Sequence, residues 1–152
     1  MNLKEALKGV KPSKRSEVKE KVANTIVSEI KKSLKSSRSP VNGEKFTKLS
    51  KTYKKYKRSQ GEPGSPNLKL FGDMQDTLDT RISGNKISIG IFGDTTEKLK
   101  SYNHNVGDTL PKRQFLPDDQ GEELTLRGKK GKGQFDSSIL KKVRGIIDAN
   151  KD

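Results

Sequence analysis

Val18, Val22, Ile26, Ile30 and Leu34 recur every four residues, and Ala23 and Val27 widen the row. This spacing predicts an amphipathic helix over about 16–35 whose opposite face is Lys-rich and wet. Ser13 or Ser16 is placed to cap it, with Glu17 and Glu20 in its first turn, and the SSRSP stretch at 36–40 ends it. Near the C terminus Ile139, Leu140, Val143, Ile146 and Ile147 follow the i, i+1, i+4, i+7, i+8 pattern. They predict a second helix over about 137–149, capped by Asp136. Between the two, the period changes to two. Leu78, Thr80 and Ile82 alternate, then Ile87, Ile89 and Ile91, on either side of Ser83-Gly84-Asn85-Lys86. Gly84-Asn85 sits where a two-residue hairpin loop requires positive φ, so an antiparallel hairpin is expected over about 77–92, one face covered by the first helix.

The remaining elements are weaker. Residues 3–8 (LKEALK) fit one or two helical turns closed by Gly9. Thr95 or Thr96 is placed to cap a short helix through 98–103 that ends before Gly107. Residues 110–117 read as an extended segment. Phe46, Leu49, Tyr53 and Tyr56 are spaced 3, 4 and 3 apart, which is compatible with a short helix. Most positions between them are Lys, however, so 41–67 reads as an extended Lys-rich loop, with 60–66 (QGEPGSP) turn-forming. Residues 118–134 run from acidic to GKKGKG and read as an insertion loop. The whole is an α+β fold in a single domain, 1–152. A small antiparallel sheet, the hairpin plus further strands, is packed by an N-terminal and a C-terminal amphipathic helix.

Charge changes this picture. The formal net charge is +14, and residues 1–58 hold 18 Lys/Arg against 5 Asp/Glu. Residues 59–128 hold 8 against 11, a net of −3, so the excess lies in the first third, beginning with a basic N-terminal arm at 1–15. A basic block beside a mildly acidic body suggests a polyanionic partner, or a like subunit whose acidic face meets it. Leu, Ile, Val and Phe together make 34 of 152 residues. That permits only a small core, and oligomerisation is one remedy. No apolar run reaches the roughly 20 residues of a membrane span. The start, MNLKEALKGVKP, lacks a secretory h-region, so a soluble intracellular protein is expected.

Candidate chemistry is sparse. The absence of Cys excludes disulfides, thiolate metal sites and Cys nucleophiles. His104 has no Ser or carboxylate at a telling spacing and reads as structural. Asp73, Asp76 and Asp79, three apart, are compatible with a divalent cation but read as solvated or cap-forming. The 128–133 run, GKKGKG, lacks P-loop spacing. No catalytic, metal or cofactor residue is therefore assigned. Nucleic-acid binding has better support, because Tyr53, Lys54, Lys55, Tyr56, Lys57 and Arg58 interleave aromatics with cations as a backbone-tracking surface would. Lys129, Lys130 and Lys132 would add to it. The alternative packs both rings on the body and leaves the lysines in water.

Several short motifs occur in an order that resembles a known family. Phe46, Leu49, Ser50 and Tyr53 form F-x-x-L-S-x-x-Y; Leu68, Leu70 and Gly72 form L-x-L-x-G; His104 and Gly107 form H-x-x-G; Pro111, Arg113, Phe115 and Leu116 form P-x-R-x-F-L. Over 40–117 this is similar to phage virion-morphogenesis and tail-completion proteins of the Mu-like type. Gln114 departs from the second Pro of many members, and 118–134 is a longer insertion. The resemblance implies a non-catalytic structural protein of the virion, assembled in the host cytoplasm. It would form a homo-oligomeric ring, typically hexameric, at the neck or head-proximal end of the tail. Such a ring completes the tail or joins it to the head, contacting connector, tail terminator or tail tube proteins, with DNA passing through its lumen. On that basis Phe46, Leu49, Tyr53, Tyr56 and Arg113 are candidate subunit contacts. Lys54, Lys55, Lys57 and Arg58, with the loop lysines, are candidate DNA contacts. Gly72 and Gly107 are read as backbone turns, Pro111 as fixing an extended start, and Phe115 and Leu116 as anchors on the core. The rival reading is a basic nucleic-acid-binding protein.

Overall fold

A four-residue apolar repeat buries only one stripe of a helix, and in the computed structural model that stripe organises the fold. Residues 3–69, 73–107, 110–117 and 135–151 are described. The elements are α1 (Leu3–Ala6), 3-10 turns at Leu7–Gly9 and Pro12–Lys14, α2 (Arg15–Lys35), α3 (Lys51–Ser59), α4 (Asp73–Asp76), β1 (Leu78–Ser83), β2 (Lys86–Ile91), α5 (Thr95–Val106) and α6 (Ser137–Asp148). Val18, Val22, Ile26, Ile30 and Leu34 of α2 are buried against Ile139, Leu140, Val143 and Ile147 of α6. Lys142 Nζ, 2.6 Å from Glu29 Oε1, ties the same two helices at the rim. Phe46, Met74, Phe115 and Phe135 belong to the same buried cluster.

The two strands pair antiparallel, Leu78 opposite Ile91 and Ser83 opposite Lys86, with a two-residue loop at Gly84-Asn85. Positive φ is confined to Gly84 (55°); Asn85 does not need it. Coverage by α2 fades toward the tip. Leu78 and Ile91 at the base are buried, Ile87 and Ile89 are half-buried, and Ile82 is exposed. Lys19 of α2 donates to the Gly84 carbonyl, 2.6 Å, at that thin end. Among the described residues the sheet holds these two strands only, so the further strands expected from the sequence are not found there. The α+β class stands, with helix dominating.

Local chemistry moved several boundaries. Neither Ser13 nor Ser16 caps α2. The Pro12–Lys14 turn already brings Lys14 into the helical region (φ −95°, ψ −12°), so the boundary serine has no orphan amide to serve. Asp94, not Thr95 or Thr96, caps α5: its extended backbone lets the carboxylate accept from the Glu97 N–H at 3.0 Å. Asp136 does cap α6, accepting from the Ser138 N–H at 3.1 Å. Within the segment 1–15, read as a basic N-terminal arm, the described residues 3–15 are docked on the body. Ala6, Leu7 and Val10 enter the core, Val10 bridges to Lys151, and Arg15 Nε donates to the Val10 carbonyl. The nine-residue α3 forms the short helix that the Tyr53 and Tyr56 spacing allowed, inside the stretch otherwise read as an extended loop. The 118–134 insertion lies outside the described residues.

Ile30, fully buried in the α2–α6 seam, and Ile82, exposed at the hairpin tip, are separated by this gradient. Ile30→Ala should lower unfolding free energy by about 2–4 kcal/mol, and Ile82→Ala by less than about 1 kcal/mol. Urea denaturation of both variants checks this; equal losses would show that the seam is not the main core.

Candidate assembly surface

Three of the four motif segments, far apart in sequence, are tied together at the base of α3, while Leu70 and Gly72 of L-x-L-x-G lie outside the described residues. Ser50 caps α3, accepting from the Tyr53 backbone N–H at 3.2 Å, which accounts for the Ser of that motif. Phe46, four residues earlier, is buried in the core, and Leu49 is half-buried. The helix is therefore launched outward from an anchored base. Its C-terminal end is fixed by Lys57, which is 2% exposed. The Lys57 ammonium donates to the Ser65 carbonyl at 2.8 Å and to Asn67 Oδ1. Asn67 Oδ1 also accepts from the Lys69 N–H at 3.1 Å, so the turn-forming 60–67 loop is folded back under the helix. Burial depresses the Lys57 pKa, with Glu62 opposing.

The segment 110–117 runs along the end of α5. Asn105 accepts from the Phe115 and Leu116 N–H groups, both at 2.9 Å, and donates through Nδ2 to the Leu116 carbonyl at 3.0 Å. These bonds hold Phe115 at full burial and Leu116 against the core. Pro111 starts the segment at the surface. Gly107 ends α5 in the left-handed region (φ 79°), where a Cβ would meet Lys112 Cβ at 2.6 Å. The H-x-x-G and P-x-R-x-F-L residues thus form one joint, and Asn105, which no spacing argument singled out, is its clamp. Its signal was its place inside the H-x-x-G run. Ser39 adds a second tie, donating from Oγ to the Gln114 carbonyl at 2.7 Å.

Arg113 links this joint to the start of α3. Its N–H donates to the His104 carbonyl at 2.8 Å, and its Nε to the Thr47 carbonyl at 3.2 Å. At 5% exposure it braces the chain's own interior rather than reaching a neighbour's carboxylate, and burial lowers its pKa, with Tyr53 opposing. His104 lies in the same pocket of charge, its Nδ1 buried without a hydrogen-bond partner. Desolvation, then the nearby Arg113, hold its pKa down to about 4.

The sequence-predicted site residues therefore separate. Tyr53 and Tyr56 are exposed, with ring centroids 6.1 Å apart, beside the exposed cations Lys51, Lys54, Lys55 and Arg58. Phe46, Arg113 and Lys57 are interior. Lys57 in particular is no surface contact for DNA, because its ammonium is consumed by the 60–67 loop. Gly72, Lys129, Lys130 and Lys132 lie outside the described residues. Asp76 ends α4 while Asp79 is in β1, and among the described residues no three metal-ligating side chains cluster. Among them, too, no helix is long and apolar enough to cross a membrane.

The imidazole supplies a pH test. Unfolded chains protonate His104 near its ordinary value of 6.5, whereas the folded chain keeps it neutral down to about 4. Stability from this group is full above 6.5 and is lost as pH falls through that window, because the unfolded state binds the extra proton. The loss reaches about 3 kcal/mol at most. Urea unfolding between pH 7 and 4 should show a shallower fall for His104→Gln than for wild type; parallel curves would count against it.

A family model described as the phage virion morphogenesis family matches residues 2–130, from before α2 to beyond the P-x-R-x-F-L segment. No curated protein and no solved structure gives a significant match.

Proposed function

The chain belongs to the phage virion morphogenesis family, and on that premise we propose that it is a structural subunit of a ring at the neck or head-proximal end of the tail. Membership itself gives the coarser statement, a component that helps build the phage particle. The finer reading is that the ring completes the tail, joins it to the head, or both, and acts by assembly with no catalytic step. Its partners are further copies of itself, six in the ring, and the adjoining connector, tail terminator or tail tube proteins.

The family match over 2–130 carries this reading. The form of α3 supports it. A helix in which every residue but Lys57 is exposed, two tyrosines and four cations among them, and which is braced from below by buried Lys57 and Arg113, is built to present a face rather than to complete a core. Tyr and Arg are enriched at protein interfaces, and Tyr buries a large area at low entropy cost.

Electron microscopy of a lysate from a phage lacking this gene tests the role. Filled heads beside separate, full-length tails are expected, with the defect visible at the head-proximal tail end. Intact joined particles would overturn the neck reading and favour polyanion binding through Lys54, Lys55 and Arg58.

A further inference from the structure

Helix α5 is built inside out. Its inward side carries Glu97, Ser101 and His104: Glu97 and Ser101 are buried, Glu97 Oε2 and His104 Nδ1 are buried without partners, and Glu97 Oε1 accepts from Lys100 at 2.7 Å. Its outward side carries Leu99, Tyr102 and Val106, 58%, 56% and 45% exposed. At spacings of 3 and 4 these three fall in one narrow stripe, which Thr95 extends toward the N terminus and exposed Leu110 continues beyond the helix. A single exposed Leu is ordinary, whereas an ordered apolar stripe on the wet side of a helix with a polar inner side marks a contact surface.

The same chain carries a second exposed aromatic face of different composition, Tyr53 and Tyr56 on α3. All the charges of α3 are positive: Lys51, Lys54, Lys55, Lys57 and Arg58. The surroundings of the α5 stripe are of the other sign at its N-terminal end. Asp94 caps the helix there and is exposed, and α4, packed against α5, ends in exposed Asp76, with exposed Asp79 following in β1. Lys98 and exposed Arg81, the latter stacked over the Phe92 ring at 4.1 Å, are opposing charges on that side, and Lys100 is engaged by Glu97, so the three carboxylates keep a net negative margin. The two faces are thus apolar at their centres and complementary in charge at their margins. Contact between unlike patches of identical subunits is heterologous, and such contacts give a ring when the rotation between subunits closes and an open filament when it does not.

We propose that the α5 stripe of one copy seats α3 of the next, Tyr53 and Tyr56 against Leu99, Tyr102 and Val106, with Lys51, Lys54 and Arg58 toward Asp76, Asp79 and Asp94. Only its closure into a ring rests on the neck reading above; the contact itself does not. Its occupant is a second copy of this chain because both halves, and both signs of charge, are present on every copy.

Complementation between two full-length variants tests the contact. One is Tyr53→Glu with Tyr56→Glu, the other Leu99→Glu with Tyr102→Glu; all four positions are exposed, so unchanged circular dichroism and thermal midpoints are expected. Light scattering after size exclusion should show wild type as an oligomer and each variant alone as a monomer, association weakened at least roughly tenfold. A mixture of the two should give a one-to-one dimer, because it retains one intact α3 and one intact α5. Each single pair of unchanged faces is thereby tested in the presence of two broken ones. If either double variant is too unstable to purify, the corresponding Ser variants take its place in the same mixture. Wild type that stays monomeric at high micromolar concentration, a variant that keeps the wild-type oligomer, or a mixture that stays monomeric would each overturn the proposal. So would an α3 variant that loses only DNA affinity. Dimer formation in the mixture together with joined particles in the gene-deleted phage would keep the contact and remove the neck role.

Discussion

The supply of apolar side chains governs this structure. A row of Val, Ile and Leu every four residues on α2 and its counterpart on α6 supply nine of the eighteen described residues in the buried core cluster and join them in a single seam. Burying a large aliphatic side chain is worth roughly 1.5–3 kcal/mol, so the seam supplies the main driving force for folding. What lies beyond its reach is held differently. The hairpin loses coverage from Leu78 to Ile82, and α3, α5 and the 110–117 segment are positioned largely by hydrogen bonds from Asn105, Arg113, Lys57 and Ser39. Such bonds contribute little net free energy but fix geometry, because leaving a buried partner unmade is costly.

This division explains why the family's short motifs are scattered yet act together. Thr47 lies within the first of the four motifs, His104 in the third and Arg113 in the fourth, and one guanidinium side chain with its own N–H joins these three. The motif residues are thus mostly internal braces. They set the base from which α3 projects, while the residues that face outward, Tyr53, Tyr56 and the α5 stripe, sit between or beside the braces. A subunit organised in this way leaves its remaining apolar surface for neighbours, in keeping with a protein whose family builds phage particles.

What the sequence revealed follows the same line. Helices α2 and α6 and the hairpin were legible because each buries one regular face, and burial imposes a period of 3.6 or 2 that can be read directly. Helix α5 was placed but its orientation was not, since the Leu99, Tyr102, Val106 period reads equally well as a core stripe; only Glu97 and Ser101 beneath it reveal the inversion. Lys57 was read as a surface cation because a buried lysine looks like any other in a run of lysines. Its burial depends on Ser65 and Asn67, eight and ten residues away, and no periodicity carries that information. The basic N-terminal residues were likewise read by charge, while Leu7 and Val10 dock them. The +14 chain hides its apolar anchors among lysines, so composition overstated how much of it is free.

Hydrogen exchange compared between the isolated chain and assembled particles tests the central claim most directly, because exchange reads stability segment by segment. The account predicts that α2 and α6 are equally protected in both states, whereas amides of α3 and α5 gain protection on assembly. Equal protection of α3 and α5 in the two states, or gains confined to α2 and α6, would contradict it.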